Sequence, residues 1–90
     1  MRAAKVDKNQ AEIVDAFRKM GFSVQHLHTV GSGVPDLLIG RGGVNLLVEV
    51  KDGGKAKLTP EQIKWHDEWR GQVAIVRNID DVVKLVSELV

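Results

Sequence analysis

Two acidic residues and a lysine stand at a spacing that can build a metal-dependent hydrolytic centre. Asp36 follows Pro35, and after twelve intervening residues comes Glu49-Val50-Lys51. Side chains on an extended strand alternate between faces, so Glu49 and Lys51 point the same way, about 7 Å apart. Val50 points to the other face, with its backbone carbonyl at the strand edge beside them. If Asp36 opens the neighbouring strand of a hairpin, its carboxylate reaches Glu49. Two carboxylates held together repel unless a cation lies between them. A hard divalent ion such as Mg²⁺ or Mn²⁺, bound by oxygen and keeping waters, meets that need. Lys51 then stands beside it as a point charge that orients water, lowers its pKa or neutralises a phosphate. A Glu-x-Lys pair by itself is commonly a plain ion pair. Here it ends the run Leu46-Leu47-Val48, where an unpaired carboxylate is costly to bury.

The elements that must position these residues alternate along the chain, in the expected order α-β-β-β-α-β-α. Asp7 with Gln10 three residues on forms a capping-box pattern, and Ile13, Val14, Phe17 and Met20 recur at helical spacing. A first helix is expected over Lys8–Met20, stopped by Gly21. Phe22–Leu27 alternates as a half-buried strand, and Thr29–Val34 is a loop. Pro35 cannot donate to a sheet, so the next strand is expected over Asp36–Gly40. Arg41–Gly43 turns the chain into a strand over Asn45–Lys51, which completes a hairpin. Thr59-Pro60-Glu61-Gln62 is a helix start with cap, first-turn proline and capping-box glutamine, and the helix runs to about Trp69. Gln72–Arg77 is nearly all apolar, which predicts a central strand covered on both faces. Asn78 caps a last helix over Ile79–Leu89, with Val82, Leu85, Val86 and Leu89 on one stripe. The predicted fold class is α/β, a single small domain over residues 1–90 with a mixed sheet flanked by helices.

Three segments carry a resemblance. They are Gly33-Val34-Pro35-Asp36-Leu37-Leu38-Ile39, Leu47-Val48-Glu49-Val50-Lys51, and Leu58-Thr59-Pro60-Glu61-Gln62 with Trp65. In order and spacing they resemble the VRR-NUC (virus-type replication-repair) nucleases. These are members of the PD-(D/E)xK restriction-endonuclease-like superfamily. The likeness extends over about Asp7–Val83. It implies that Asp36 and Glu49 are metal-binding carboxylates, that Val50 lends its backbone carbonyl, and that Lys51 is the catalytic lysine. Gln62 matches a motif glutamine with a catalytic role, which it can hold alongside its place in the capping box. The family and related junction resolvases also place a glutamate in the first helix near the metal. Glu12 is the only glutamate in that helix and is a candidate ligand, or equally a solvated residue. Gln10 lies two residues earlier, where the acid is expected.

The expected activity is therefore metal-dependent cleavage of phosphodiester bonds in DNA, selective for branched, flap or Holliday-junction structure. The cofactor is Mg²⁺ or Mn²⁺. A homodimer, a role in DNA repair and the cytoplasm of a bacterial or phage-infected cell are further expectations. The alternative is a catalytically silent DNA-binding or assembly module that keeps the fold. Intact Asp36, Glu49 and Lys51 argue against it, because such charges are mutually costly without a task. Lys55, Lys57 and Lys64 surround the candidate centre, and Arg2, Lys5 and Lys8 add a basic N-terminal arm. They are either backbone-phosphate contacts or solvated loop charges.

Composition limits the other possibilities. Ninety residues hold one core, and 43% apolar with 28% charged residues fits a globular chain. No apolar run approaches the roughly 20 residues of a membrane helix, so no membrane partner is expected. Met1–Lys8 has no apolar region of the kind a secretory leader needs. Without cysteine there is no thiol nucleophile or zinc-thiolate site. His26, His28 and His66 lack accompanying carboxylates in a ligand pattern and are expected to be structural or surface residues. Trp65 and Trp69, four apart, are expected to anchor the core. Val83, Val90 and Ile79 fall off the last helix's buried stripe and are the expected dimer surface.

Overall fold

The computed structural model describes residues 7–89. Arg2, Lys5 and Val90 lie outside the described residues. The order is α1 (Gln10–Lys19), β1 (Ser23–His26), β2 (Leu37–Arg41), β3 (Val44–Val50), α2 (Pro60–Glu68), β4 (Val73–Val76) and α3 (Ile79–Glu88), as the periodicities predict. The sheet runs β1-β2-β3-β4. The first two pairings are antiparallel and β3 pairs with β4 in parallel. A parallel pair needs a long crossover, and the segment containing α2 supplies it.

One sheet face holds the core. Alternation along β3 sends Leu46, Val48 and Val50 to the same side, where they meet Leu37 and Ile39 of β2 and Val76 of β4. α1 and α3 cover them with Ile13, Val14, Phe17 and Val82. Leu85, Val86 and Leu89 pack on the margin of that cluster. α1 ends in a Schellman arrangement. The Gly21 N–H donates to the Arg18 carbonyl at 3.0 Å and the Phe22 N–H to the Phe17 carbonyl at 3.0 Å. Gly21 takes the positive φ of +90° that this requires. The same closure brings the Phe17 and Phe22 rings edge to face, 5.6 Å apart.

Three expectations are corrected. The Asp7–Gln10 capping box does not form: Asn9 occupies the cap position and makes no side-chain cap bond. These polar groups are committed elsewhere, since Asp7 Oδ2 accepts from the Asp52 N–H at 2.8 Å and Asn9 Nδ2 donates to the carbonyls of Lys51 and Arg77. β4 is an edge strand, not a central one. Its core-facing Val76 is buried while Ile75, facing the other way, is exposed. Trp65 and Trp69 are not core anchors. α2 buries no residue fully, and the two indoles stack on each other at 4.7 Å, with Trp69 exposed.

Phe17 is fully buried and joins α1 to the β1 entry. Phe17→Ala should cost about 3–5 kcal/mol, a large share of the roughly 5–15 kcal/mol expected for a small domain. Urea unfolding measures it, and a loss below about 1 kcal/mol contradicts the packing described.

Candidate active site

The other end of the β2–β3 ladder collects the charged residues. Leu37 pairs with Val48, so one further step sets Asp36 against Glu49. Asp36 precedes β2, and its Oδ2 accepts from the Val50 N–H at 2.8 Å. That bond ties the start of β2 to the last residue of β3. Alternation then places Glu49 and Lys51 on the face opposite the core while the Val50 side chain is buried in it. Asp36, Glu49 and Lys51 are 9%, 1% and 7% exposed, so three charges share one buried strand end.

Glu49 carries the strain of that arrangement. Its Oε2 lies 3.8 Å from Lys51 Nζ and accepts from Gln62 Nε2 at 3.1 Å. Its Oε1 is buried and has no hydrogen-bond partner. Burial pushes its carboxyl up to about 8, and the charge of Asp36 pushes the same way. Lys51 opposes the shift, and Asp7 adds to it. A buried orphaned carboxylate oxygen beside a second carboxylate is a donor set suited to a hard cation. Asp36, Glu49 and the Val50 backbone therefore fit the metal role that the sequence assigns them. Among the described residues no three His, Asp or Glu side chains gather as a metal-holding group. Glu12 is exposed on α1 and is not brought to the pair. Gln10, two residues earlier, is the buried one, with its Oε1 unpartnered and its Nε2 3.4 Å from His26 Nδ1.

Gln62 closes the capping box and also reaches Glu49. Its N–H donates to Thr59 Oγ1 at 3.2 Å and its Oε1 accepts from the Thr59 N–H at 2.9 Å, closing the capping box. Its Nε2 remains free to hold Glu49. The cap thus fixes the rotamer of a side chain that reaches the site. Gly33 supports the same turn. It has φ +81°, and a Cβ there would stand 2.3 Å from the Glu61 carbonyl oxygen. Only glycine lets the loop before Pro35 press on the first turn of α2.

Asn9 was not anticipated. Asn9 bonds the Lys51 carbonyl at 3.2 Å and the Arg77 carbonyl at 3.0 Å, pinning α1 to the strand ends. Asparagine beside a helix start reads locally as a cap, so no local signal reveals this long-range use. His66 lies one turn beyond Gln62 on α2. Burial lowers its pKa, Asp67 opposes that and Lys51 reinforces it, and its Nε2 is buried without a partner. His26 and His28 meet edge to face at 5.8 Å. Lys55 and Lys57 are exposed on the loop after β3, and Lys64 is exposed on α2.

The folded state favours the protonated form of Glu49, which gives a signed pH dependence. The contribution is fully present below the ordinary carboxyl value of 4.5 and is lost as pH rises through about 8. In EDTA, stability should fall over that window, and Glu49→Gln should flatten the fall. Urea midpoints of both proteins across the range decide it. Parallel pH profiles contradict the burial of an ionisable Glu49.

Comparison with known proteins identifies the family. The family model of the VRR-NUC domain matches residues 2–83. A solved structure described as a VRR_NUC domain is similar, with 32% sequence identity and a TM-score of 0.77, over 90% of this chain and 92% of that one. Among curated proteins none matches. The chain belongs to the VRR-NUC domain family, a family of nuclease domains.

Proposed function

We propose that this protein is a divalent-metal-dependent deoxyribonuclease that hydrolyses phosphodiester bonds, with selectivity for branched, flap or Holliday-junction DNA. The observation that carries the reading is the burial of Asp36, Glu49 and Lys51 at one strand end, with Glu49 Oε1 unpartnered. Asp36, Glu49 and the Val50 carbonyl would hold Mg²⁺ or Mn²⁺. Such an ion supplies positive charge to a scissile phosphate and acidity to a water. Lys51, beside Glu49 at the buried strand end, presents an ammonium that orients the attacking water and offsets charge building on the phosphate. Hydrolysis places the water oxygen on phosphorus and leaves its proton for the departing sugar oxygen. Gln62 keeps Glu49 aimed by holding Oε2. Lys55, Lys57 and Lys64 grip backbone phosphates, a contact that carries no sequence readout and suits recognition by shape. The setting is DNA repair in the cytoplasm of a bacterial or phage-infected cell. Among the described residues no helix is long and apolar enough to cross a membrane.

Cleavage of single-stranded, duplex, flap and four-way-junction DNA with Mn²⁺, Mg²⁺ or EDTA tests the reading. Lys51→Ala should lose roughly 100-fold or more in rate while keeping Mn²⁺ binding, because the ammonium acts on water and phosphate rather than on the ion. Asp36→Asn should lose both. Calorimetric titration that finds normal Mn²⁺ binding by Asp36→Asn removes Asp36 from the metal site. Cleavage unaffected by EDTA removes the metal.

The active form is proposed to be a homodimer, whose two-fold axis would set one site against each strand of a branched duplex. Support comes from small size and from Ile79 and Val83, both exposed on α3. Light scattering should give twice the 9.9 kDa chain mass. A monomer in an active preparation contradicts the paired arrangement.

A further inference from the structure

Arg77 follows β4, and its main chain and side chain serve different segments. The main chain belongs to the sheet end. Its N–H donates to Asp81 Oδ2 at 2.8 Å, and its carbonyl accepts from Asn9 Nδ2 at 3.0 Å and from the Gly53 N–H at 3.4 Å. The side chain turns back over the loop between β3 and α2. There Nη1 donates to the Gly53 carbonyl at 2.9 Å and to the Ala56 carbonyl. These two carbonyls bracket Lys55, and Lys57 follows directly.

That loop needs an anchor. It has no regular structure and contains Gly53-Gly54, so ordering it costs backbone entropy. Its start is held by the Asp52 N–H on Asp7 Oδ2 and its end by the Thr59–Gln62 capping box. Arg77 Nη1 supplies the side-chain hydrogen bonds to its middle. The choice of residue matters, because a planar guanidinium donates to two fixed acceptors where a lysine offers a mobile point charge. Among the described residues no carboxylate lies within ion-pair range of Arg77. Its guanidinium is therefore committed to the two loop carbonyls rather than to an ion pair.

We propose that Arg77 is a positioning residue for DNA binding, one that shapes the Gly53–Ala56 turn so that Lys55 and Lys57 meet backbone phosphates. The proposal rests on the nuclease reading above. It predicts that Arg77 acts through the two lysines rather than on DNA directly.

Fluorescence anisotropy with labelled duplex and four-way-junction DNA tests it, using the full chain with Ca²⁺ in place of Mg²⁺. Arg77→Gln should weaken binding about fivefold or more and flatten its salt dependence by roughly one to two phosphate contacts. Lys55→Ala with Lys57→Ala should do the same. Adding Arg77→Gln to the lysine-free protein should change affinity less than about twofold, since the groups it positions are gone. Arg77→Lys should fall between wild type and Arg77→Gln. In Mn²⁺ turnover, KM should rise with kcat nearly constant. If Arg77→Gln unfolds, Arg77→Lys carries the same comparison with and without the lysines. An equal loss in both backgrounds overturns the proposal, as does a fall in kcat at unchanged KM. A wild-type protein that binds DNA without cutting it in Mn²⁺ removes the nuclease reading and leaves the coupling measurable. One that binds no DNA overturns both.

Discussion

The hydrogen bond from the Val50 N–H to Asp36 Oδ2 joins the two strands at the point where their charges meet. It lies where the β2–β3 ladder ends, so it takes the place of a further strand pairing. Through it Asp36 is held against Glu49, and Lys51, the residue after β3, is drawn below the surface with them. Burying a carboxylate is unfavourable, and the charge of Asp36 beside it pushes the Glu49 carboxyl up in the same direction. Keeping such an arrangement costs stability, and the proposed cation site would offset that cost.

Everything around the pair limits its freedom. Core packing of Leu46, Val48 and Val50 sets the rotation of β3, which decides that Glu49 faces away from the core. The α2 capping box fixes Gln62, and the close approach of Gly33 fixes that first turn against the loop leading to Asp36. Asn9 holds the carbonyls that follow β3 and β4. These supports come from α1, α2 and a loop, elements far apart in sequence. They converge on strand ends that are rigid because the sheet beneath them is well packed. The arrangement matches the general requirement that reactive groups be held by second partners rather than by their own rotamer preference alone.

Much of this is legible in the sequence. The strand expected over Asn45–Lys51 and its spacing from Asp36 imply the hairpin and the shared facing of Glu49 and Lys51. Thr59-Pro60-Glu61-Gln62 is a local signal, and the cap formed as written. The failures share one cause, which is that a side chain's partner is not local. Asp7 and Gln10 have the spacing of a capping box, yet Asp7 bonds the Asp52 N–H and Gln10 is buried beside His26. Val73–Val76 is apolar on both faces, a pattern compatible with a central strand or with an edge strand lying under a helix. Sheet order decides between them, and no single strand encodes it. Helical spacing of Trp65 and Trp69 shows that the two share a face, not how deeply the helix sits. The Arg77 contact to the loop is likewise a long-range event with no local mark.

The central claim is that the buried strand end is a cation site built from Asp36, Glu49 and the Val50 backbone. Anomalous scattering from crystals grown with Mn²⁺ tests it most directly. The account predicts a peak between the Asp36 and Glu49 carboxylates, with the Val50 carbonyl among its ligands and Lys51 Nζ outside them. Strong Mn²⁺ peaks at other surface carboxylates, with Glu49 still unliganded, would contradict it.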